Sequence, residues 1–249
     1  MSEWAQYRGN VPSGWSGRGG QCTSAYFPGA DPCASSAGSG VAASIGLATI
    51  TIGTETNGSI TCPASYNNVV GIKPTVGLTS RTGGLIISPC SMGGAEMTTS
   101  STVIPLSIHQ DTIGPLTRSI ADAVLVLSVI AGKDPTDNYT LSQPSPLPNY
   151  TQALNKNAFK NKRIGVPRHV FLNISDSNSD PFVRAGFEKA LDVIRNLGAT
   201  VIDPADIPSA EEISKSGDQT IVIGVDFKVS FVFLNFMRFC LYILLNRSN

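Results

Sequence analysis

The sequence predicts an α/β fold, a mixed β-sheet covered by helices on both faces, and three observations carry that prediction. Short apolar runs at 48–53, 163–167 and 200–202 read as strands. Two longer stretches, 119–130 and 181–197, repeat their apolar residues at helical spacing. The order strand, helix, strand with short connections at 163–202 is that of a layered architecture in which a helix covers a sheet.

The elements follow in chain order. Residues 6–40 are rich in Gly, Ser and Pro, with Ser16-Gly17-Arg18-Gly19-Gly20 and Ser35-Ser36-Ala37-Gly38-Ser39-Gly40 as the extremes. The second stretch runs directly into 41–47, whose small residues suit a tightly packed helix, and then into 48–53, a buried strand. A Gly/Ser loop opening a helix is dense in backbone N–H groups and suits an oxyanion. Past the strand, Thr54-Glu55-Thr56-Asn57-Gly58-Ser59 turns at its Asn-Gly pair and leaves a serine hydroxyl at the strand end. A short apolar piece at 69–75 is stopped by Pro74. Ser119 caps the next helix, with Asp122 in its first turn and Gly132 as its stop. Pro135, Pro144, Pro146 and Pro148 mark 134–160 as an exposed connector. In the helix from Pro181, Asp180 is the expected N-cap, and Val183, Phe187, Ala190, Leu191 and Ile194 share one face.

Composition removes several functions. Among 249 residues, 18 Lys+Arg balance 18 Asp+Glu, so there is no basic surplus to grip nucleic acid. The five cysteines, Cys22, Cys33, Cys62, Cys90 and Cys240, lie far apart, with no CxxC and no Cys/His cluster. A zinc site, a dense disulfide framework and a metal cofactor are therefore not expected. His109 and His169 supply too little imidazole for a histidine-based triad, and no Gly-x-Ser-x-Gly elbow occurs. Neither Gly-rich loop has the pattern of a nucleotide site, and no organic cofactor is expected. The first residues show no charged segment leading into an apolar run, so the chain as written reads as cytoplasmic by default. Sequons at Asn57, Asn138, Asn149, Asn173 and Asn246 are compatible with a longer, secreted parent.

Two segments break the pattern. Residues 89–103 have no periodicity and read as an insert, and 229–249 is an apolar tail expected to lie outside the fold. Asn235 and Arg238 interrupt that tail, and a central Arg costs about 3 kcal/mol in a bilayer, so membrane contact by 229–245 is not expected.

Acyl transfer from an amide needs a hydroxyl, a proton acceptor and donors for the developing oxyanion. Ser59 has the setting for the first and third, and Ser35 and Ser36 offer further hydroxyls in a loop able to fold back beside it. The same residues also read as ordinary loop serines. The run Asp31-Pro32-Cys33-Ala34-Ser35-Ser36-Ala37-Gly38-Ser39, followed by Gly53-Thr54-Glu55-Thr56-Asn57-Gly58-Ser59-Ile60-Thr61-Cys62-Pro63-Ala64, resembles the signature of the amidase signature family. Val70-Gly71-Ile72-Lys73-Pro74-Thr75, Gln110-Asp111-Thr112-Ile113-Gly114-Pro115-Leu116 and Ser119-Ile120-Ala121-Asp122-Ala123 extend the likeness. It covers 1–137 well and 160–228 weakly.

The resemblance implies a serine hydrolase with a Ser-Ser-Lys triad that splits a carboxamide, a small-molecule amide substrate, and an amidase core over 1–228 that is incomplete at both ends. It makes Ser59 the acylated nucleophile and Ser35 the bridging serine, next to a cis peptide bond, with Ser36 supporting. Thr56, Asn57 and Gly58 become the oxyanion-hole donors. The family's triad lysine lies upstream of the bridging serine, whereas the first lysine here is Lys73, in a different motif. Little turnover and poor solubility are expected of the chain as it stands. The alternative readings are an inactive or membrane-tethered remnant, and a protein like the ammonia-releasing component of a glutamine amidotransferase.

Overall fold

The computed structural model describes residues 11–82, 103–171 and 181–245. These form two compact units, one of residues Met1–Thr151 with Val222–Asn249, the other of Gln152–Ile221. The single domain expected over 1–228 is thus divided.

In the first unit, β1 (Trp15–Ser16) and β2 (Gly20–Gln21) form a small antiparallel hairpin. Then come α1 (Ala37–Ser44), β3 (Ile50–Glu55), α2 (Thr61–Tyr66) and β4 (Val70–Gly71). β5 (Thr112–Thr117) and α3 (Ile120–Ile130) complete the core, in which β5 lies between β3 and β4 in an antiparallel sheet. The centre of this sheet was not predicted, because Gly114 and Pro115 argue against a central strand. The fold admits both. Pro115 needs no ladder donor, and its carbonyl accepts Ile72 N–H at 3.1 Å. A Cβ on Gly114 would stand 2.0 Å from the Ile72 carbonyl oxygen, so only glycine lets the two chains approach.

Ile60, Ala64 and Leu116 form the buried cluster beneath the sheet, with Val69 against it. α1 is fastened to β3 by side chains. Ser39 Oγ donates to the Ile52 carbonyl (2.8 Å), and Thr51 Oγ1 donates to the carbonyls of Ser39 and Leu116 (3.0 Å each). β3 is not buried throughout as expected: Ile50 and Ile52 are exposed, and burial is concentrated at Gly53 and Glu55. Ser119 caps α3 as predicted, accepting Asp122 N–H at 3.1 Å.

The stretch 134–160 is not the exposed connector its prolines suggest. It holds 3-10 turns at Asn138–Ser142 and Tyr150–Ala153, and it buries Asp137, Thr140 and Gln143. Gln143 Nε2 donates to the carbonyls of Gly77, Leu78 and Gly132, and Arg81 clasps Asp137 with two hydrogen bonds of 2.9 and 2.8 Å. Those polar anchors, invisible to a proline count, draw the segment down.

The second unit pairs β6 (Arg163–Gly165) with β7 (Thr200–Ile202) in parallel, as the strand–helix–strand reading requires. Between them lie α4 (Arg168–Phe171) and α5 (Pro181–Asn196), and α6 (Ala210–Lys215) follows. Of the predicted α5 face, Leu191 is buried, Phe187 and Ile194 are half-buried, and Val183 and Ala190 are exposed. A two-stranded sheet is too narrow to cover a four-turn helix. Asp180, the expected cap, lies outside the described residues.

α7 (Asp218–Leu245) runs without a break through 228/229, where the sequence reading ends the fold, and it buries Ser230. Among the described residues, no helix is long and apolar enough to cross a membrane. Residues 89–102 of the aperiodic insert lie outside the described residues.

Candidate active site

The site is built where α1, β3 and α2 meet. Ser36, at the start of α1, spends its hydroxyl on the strand rather than on its own helix: Oγ accepts Thr54 N–H and donates to the Thr54 carbonyl, both at 3.1 Å. Its own N–H donates to the Ser59 carbonyl at 3.0 Å. Ser36 therefore locks the Ser35 loop against the loop that carries Ser59. This approach depends on Gly53, where a Cβ would lie 2.6 Å from Ser36 Oγ and 2.7 Å from Leu116 Cδ1. The Ala34–Ser35 peptide is cis, as the resemblance implied.

A carboxylate organises the loop after β3. Glu55 is 4% exposed, and Oε1 accepts Gly58 N–H (2.7 Å) while Oε2 accepts Ile60 N–H (2.7 Å) and Thr61 N–H (2.8 Å). Thr61 Oγ1 adds a weaker bond to Oε1 at 3.3 Å. The negative charge thus sits at the first amides of α2, which attract it, and buried donors on both sides of Ser59 are satisfied. The arrangement corrects one expectation. Gly58 N–H is occupied by Glu55 and does not stand open as an oxyanion donor, because one amide hydrogen cannot serve a carboxylate and a substrate oxygen at full strength.

Ser35 and Ser59 line one small cleft together with Thr54, Thr56, Val103, Ile104, Leu106 and Asp111. Ser59 is 8% exposed, so the hydroxyl sits low in a wall of polar and apolar groups. Ser36 is fully buried behind that wall. Lys73 is not among the lining residues; its Nζ donates to the Gln110 carbonyl at 3.2 Å, bracing the segment before β5. Among the described residues, no group of His, Cys, Asp and Glu is arranged to hold a metal ion.

Sequence reasoning missed two side chains, Glu55 and Asp111, which stand inside the signature-like runs without a pattern that singles them out. Asp111 is as buried as Glu55, accepting the Thr56 hydroxyl on Oδ1 and the N–H groups of Leu106 (2.8 Å) and Ser107 (3.0 Å) on Oδ2. Burial raises its pKa above the ordinary value of 3.8, against the pull of those hydrogen bonds. An acidic residue placed directly before a strand and after polar loop residues was the one available signal.

Sequence spacing also gave no pairing for the cysteines, yet Cys33 and Cys62 are joined, with their Cα atoms 5.8 Å apart. The bond ties the segment just before Ser35 to the first turn of α2, just after Ser59. Asn67, fully buried, reinforces the same junction: its Nδ2 donates to the carbonyls of Pro32 (3.0 Å) and Pro63 (2.9 Å), and its Oδ1 accepts Ala25 N–H (3.1 Å).

A mixed α/β fold with two serine loops clasped around one cleft defines the class, and comparison supplies the family. The family model described as Amidase matches residues 1–223, and the chain belongs to that family, whose signature the two serine loops carry. A protein of Arthroderma benhamiae named as an amidase is 46% identical over 217 residues, which is 86% of this chain and 33% of that protein. The native peptide amidase of Stenotrophomonas maltophilia superposes with a TM-score of 0.75 at 38% identity, covering 92% of this chain and 42% of its own. A component of the glutamyl-tRNA(Gln) amidotransferase of Pelobacter propionicus is 36% identical over 180 residues, 72% of this chain and 32% of that protein. The chain therefore spans about a third of the length of these two curated relatives.

Proposed function

We propose that this chain carries the acyl-transfer site of an amidase, in which Ser59 attacks a carboxamide carbonyl and forms an acyl-Ser59 intermediate. The observation that carries the reading is the shared cleft of Ser35 and Ser59, two hydroxyls on separate loops held together by Ser36. In this reading Ser35 relays the proton from Ser59 to the departing amine, and Ser36 positions the loop. The N–H groups of Thr56 and Asn57 face the developing oxyanion, with Gly58 held back by Glu55. Preorganised donors of this kind supply much of the rate of acyl transfer, and Glu55 is what makes the loop rigid enough to provide them. Likeness to a peptide amidase supports a peptide or small-molecule carboxamide as the substrate class, and the higher identity to an amidase than to the amidotransferase component supports hydrolysis over ammonia transfer.

No lysine precedes Lys73 in the sequence, so the serine pair acts here without the family's general base. Removing one member of such a triad costs several orders of magnitude in rate, while oxyanion and binding contributions persist. The test is a serine-directed fluorophosphonate probe on the purified chain and on Ser59→Ala, with mass analysis of the labelled peptide. Slow, stoichiometric labelling at Ser59 that disappears in the variant is expected, with acceleration by a small primary amine acting as proton acceptor. Labelling at another residue, or none in the presence of the amine, overturns the reading.

A further inference from the structure

The cleft has two walls, and a single buried side chain joins them. One wall is the loop after β3, which carries Thr56 and Ser59; the other is the segment containing Ile104 and Leu106. Asp111 spans both. Its Oδ1 holds the Thr56 hydroxyl, and its Oδ2 holds the amides of Leu106 and Ser107. Behind this bridge the segment is fastened again: Arg81 Nη1 donates to the Ile108 carbonyl at 2.6 Å, while Ser107 Oγ and His109 Nδ1 both bond Asp226 of α7, the latter at 2.9 Å. Three donors on two oxygens require a carboxylate, because an asparagine has one acceptor oxygen and must reverse the Thr56 hydroxyl to keep the third bond. A buried carboxylate is costly in an apolar wall, and at 4% exposure Asp111 persists there by virtue of those three bonds.

We propose that Asp111 is a positioning residue for the Ser59 reaction, holding the Thr56–Ser59 loop in register with the 104–107 wall so that both meet the same substrate carbonyl. The inference rests on the reading of Ser59 as nucleophile. Asp111 acts through Thr56: shifting that residue displaces the amides that face the oxyanion, and small displacements of this kind are expensive in acyl transfer.

The experiment is a mutant cycle on the purified chain, read as the rate constant for fluorophosphonate labelling at Ser59 alongside thermal unfolding. Thr56→Val and Asp111→Ala are each expected to lower the labelling rate by roughly 10–100-fold. The double variant is expected to be no slower than the slower single one, because both remove the same link. Thr56→Ser, which keeps the hydroxyl, and Asp111→Asn, which keeps the bonds by turning that hydroxyl round, are expected to stay within a few-fold of the parent. Thr56→Val differs from the parent by one hydroxyl and decides the matter if Asp111→Ala does not fold. Single variants that lose thermal stability yet label at the parent rate, or losses that multiply in the double variant, overturn the inference and leave Ser59 as nucleophile. A parent chain that does not label at Ser59 overturns the functional reading and the inference together.

Discussion

The two units handle their acidic residues in opposite ways. In the first, Glu55 and Asp111 are buried at the cleft and each accepts backbone N–H groups from the loops that form it. In the second, Asp203 and Glu188 bind the guanidinium of Arg168 near the surface, where all three remain partly exposed. Water can replace the partners of the second set at small cost, but not those of the first. The contrast locates where chemistry constrains the shape of this protein: the cleft loops are held by ionised side chains because irregular backbone beside a reactive hydroxyl has no sheet or helix to satisfy it.

Replacing Glu55 tests that contrast most severely. Glu55→Ala strands three amide donors around Ser59 and is expected to cost about 3–5 kcal/mol, at 1–3 kcal/mol for each buried donor left unpaired, measured as the shift in urea unfolding. Next comes the disulfide. Cys33→Ser with Cys62→Ser releases a loop of 29 residues' separation and is expected to cost about 3–4 kcal/mol by chain entropy, an effect that a thiol reductant reproduces in the parent and not in the variant. Gly53→Ala forces a methyl against Ser36 and Leu116; a loss of about 1–3 kcal/mol is expected, together with slower labelling of Ser59.

A pH titration of stability probes the first unit more finely, because two of its acids have opposite signs. The hydrogen bonds from Arg81 hold Asp137 below its ordinary 3.8, so its contribution is present above that value and is lost as pH falls through the lowered pKa. Burial holds Asp111 above 3.8, so its contribution is full below that value and is lost as pH rises through the raised pKa. Asp137→Asn is expected to flatten the acid loss of stability, and Asp111→Asn to steepen it, in unfolding midpoints measured from about pH 3 to 7. The smallest effect belongs to the second unit. Glu188→Gln, at an exposed pair, is expected to leave the unfolding midpoint within experimental error; a shift as large as that of Gly53→Ala would erase the contrast between the units.

Much of the architecture was legible in local pattern. β7 has the predicted bounds, α3 begins at its Ser119 cap, and the parallel pairing of β6 with β7 follows from strand, helix and strand in succession. The cleft serines Ser35 and Ser59 were also legible, from loop composition and family resemblance. β5 was not, since its Gly114 and Pro115 contradict the strand they occupy until the close approach of Ile72 explains them. The buried parts of 134–160 stayed hidden because the fastening groups, Arg81 for Asp137 and the carbonyls around Gln143, lie far away in sequence.

Local sequence was enough for the α/β class, the helices with their own caps, and the serine loops, since each of these depends on residues within one or two turns of one another. Packing alone settled which N–H groups around Ser59 are already taken, that Asp111 bridges the cleft walls, and that Cys33 pairs with Cys62. The last two span 29 and 55 residues of sequence. Hydrogen-bond and covalent reach of a few ångström is set by how such segments pack, not by what any one of them prefers locally.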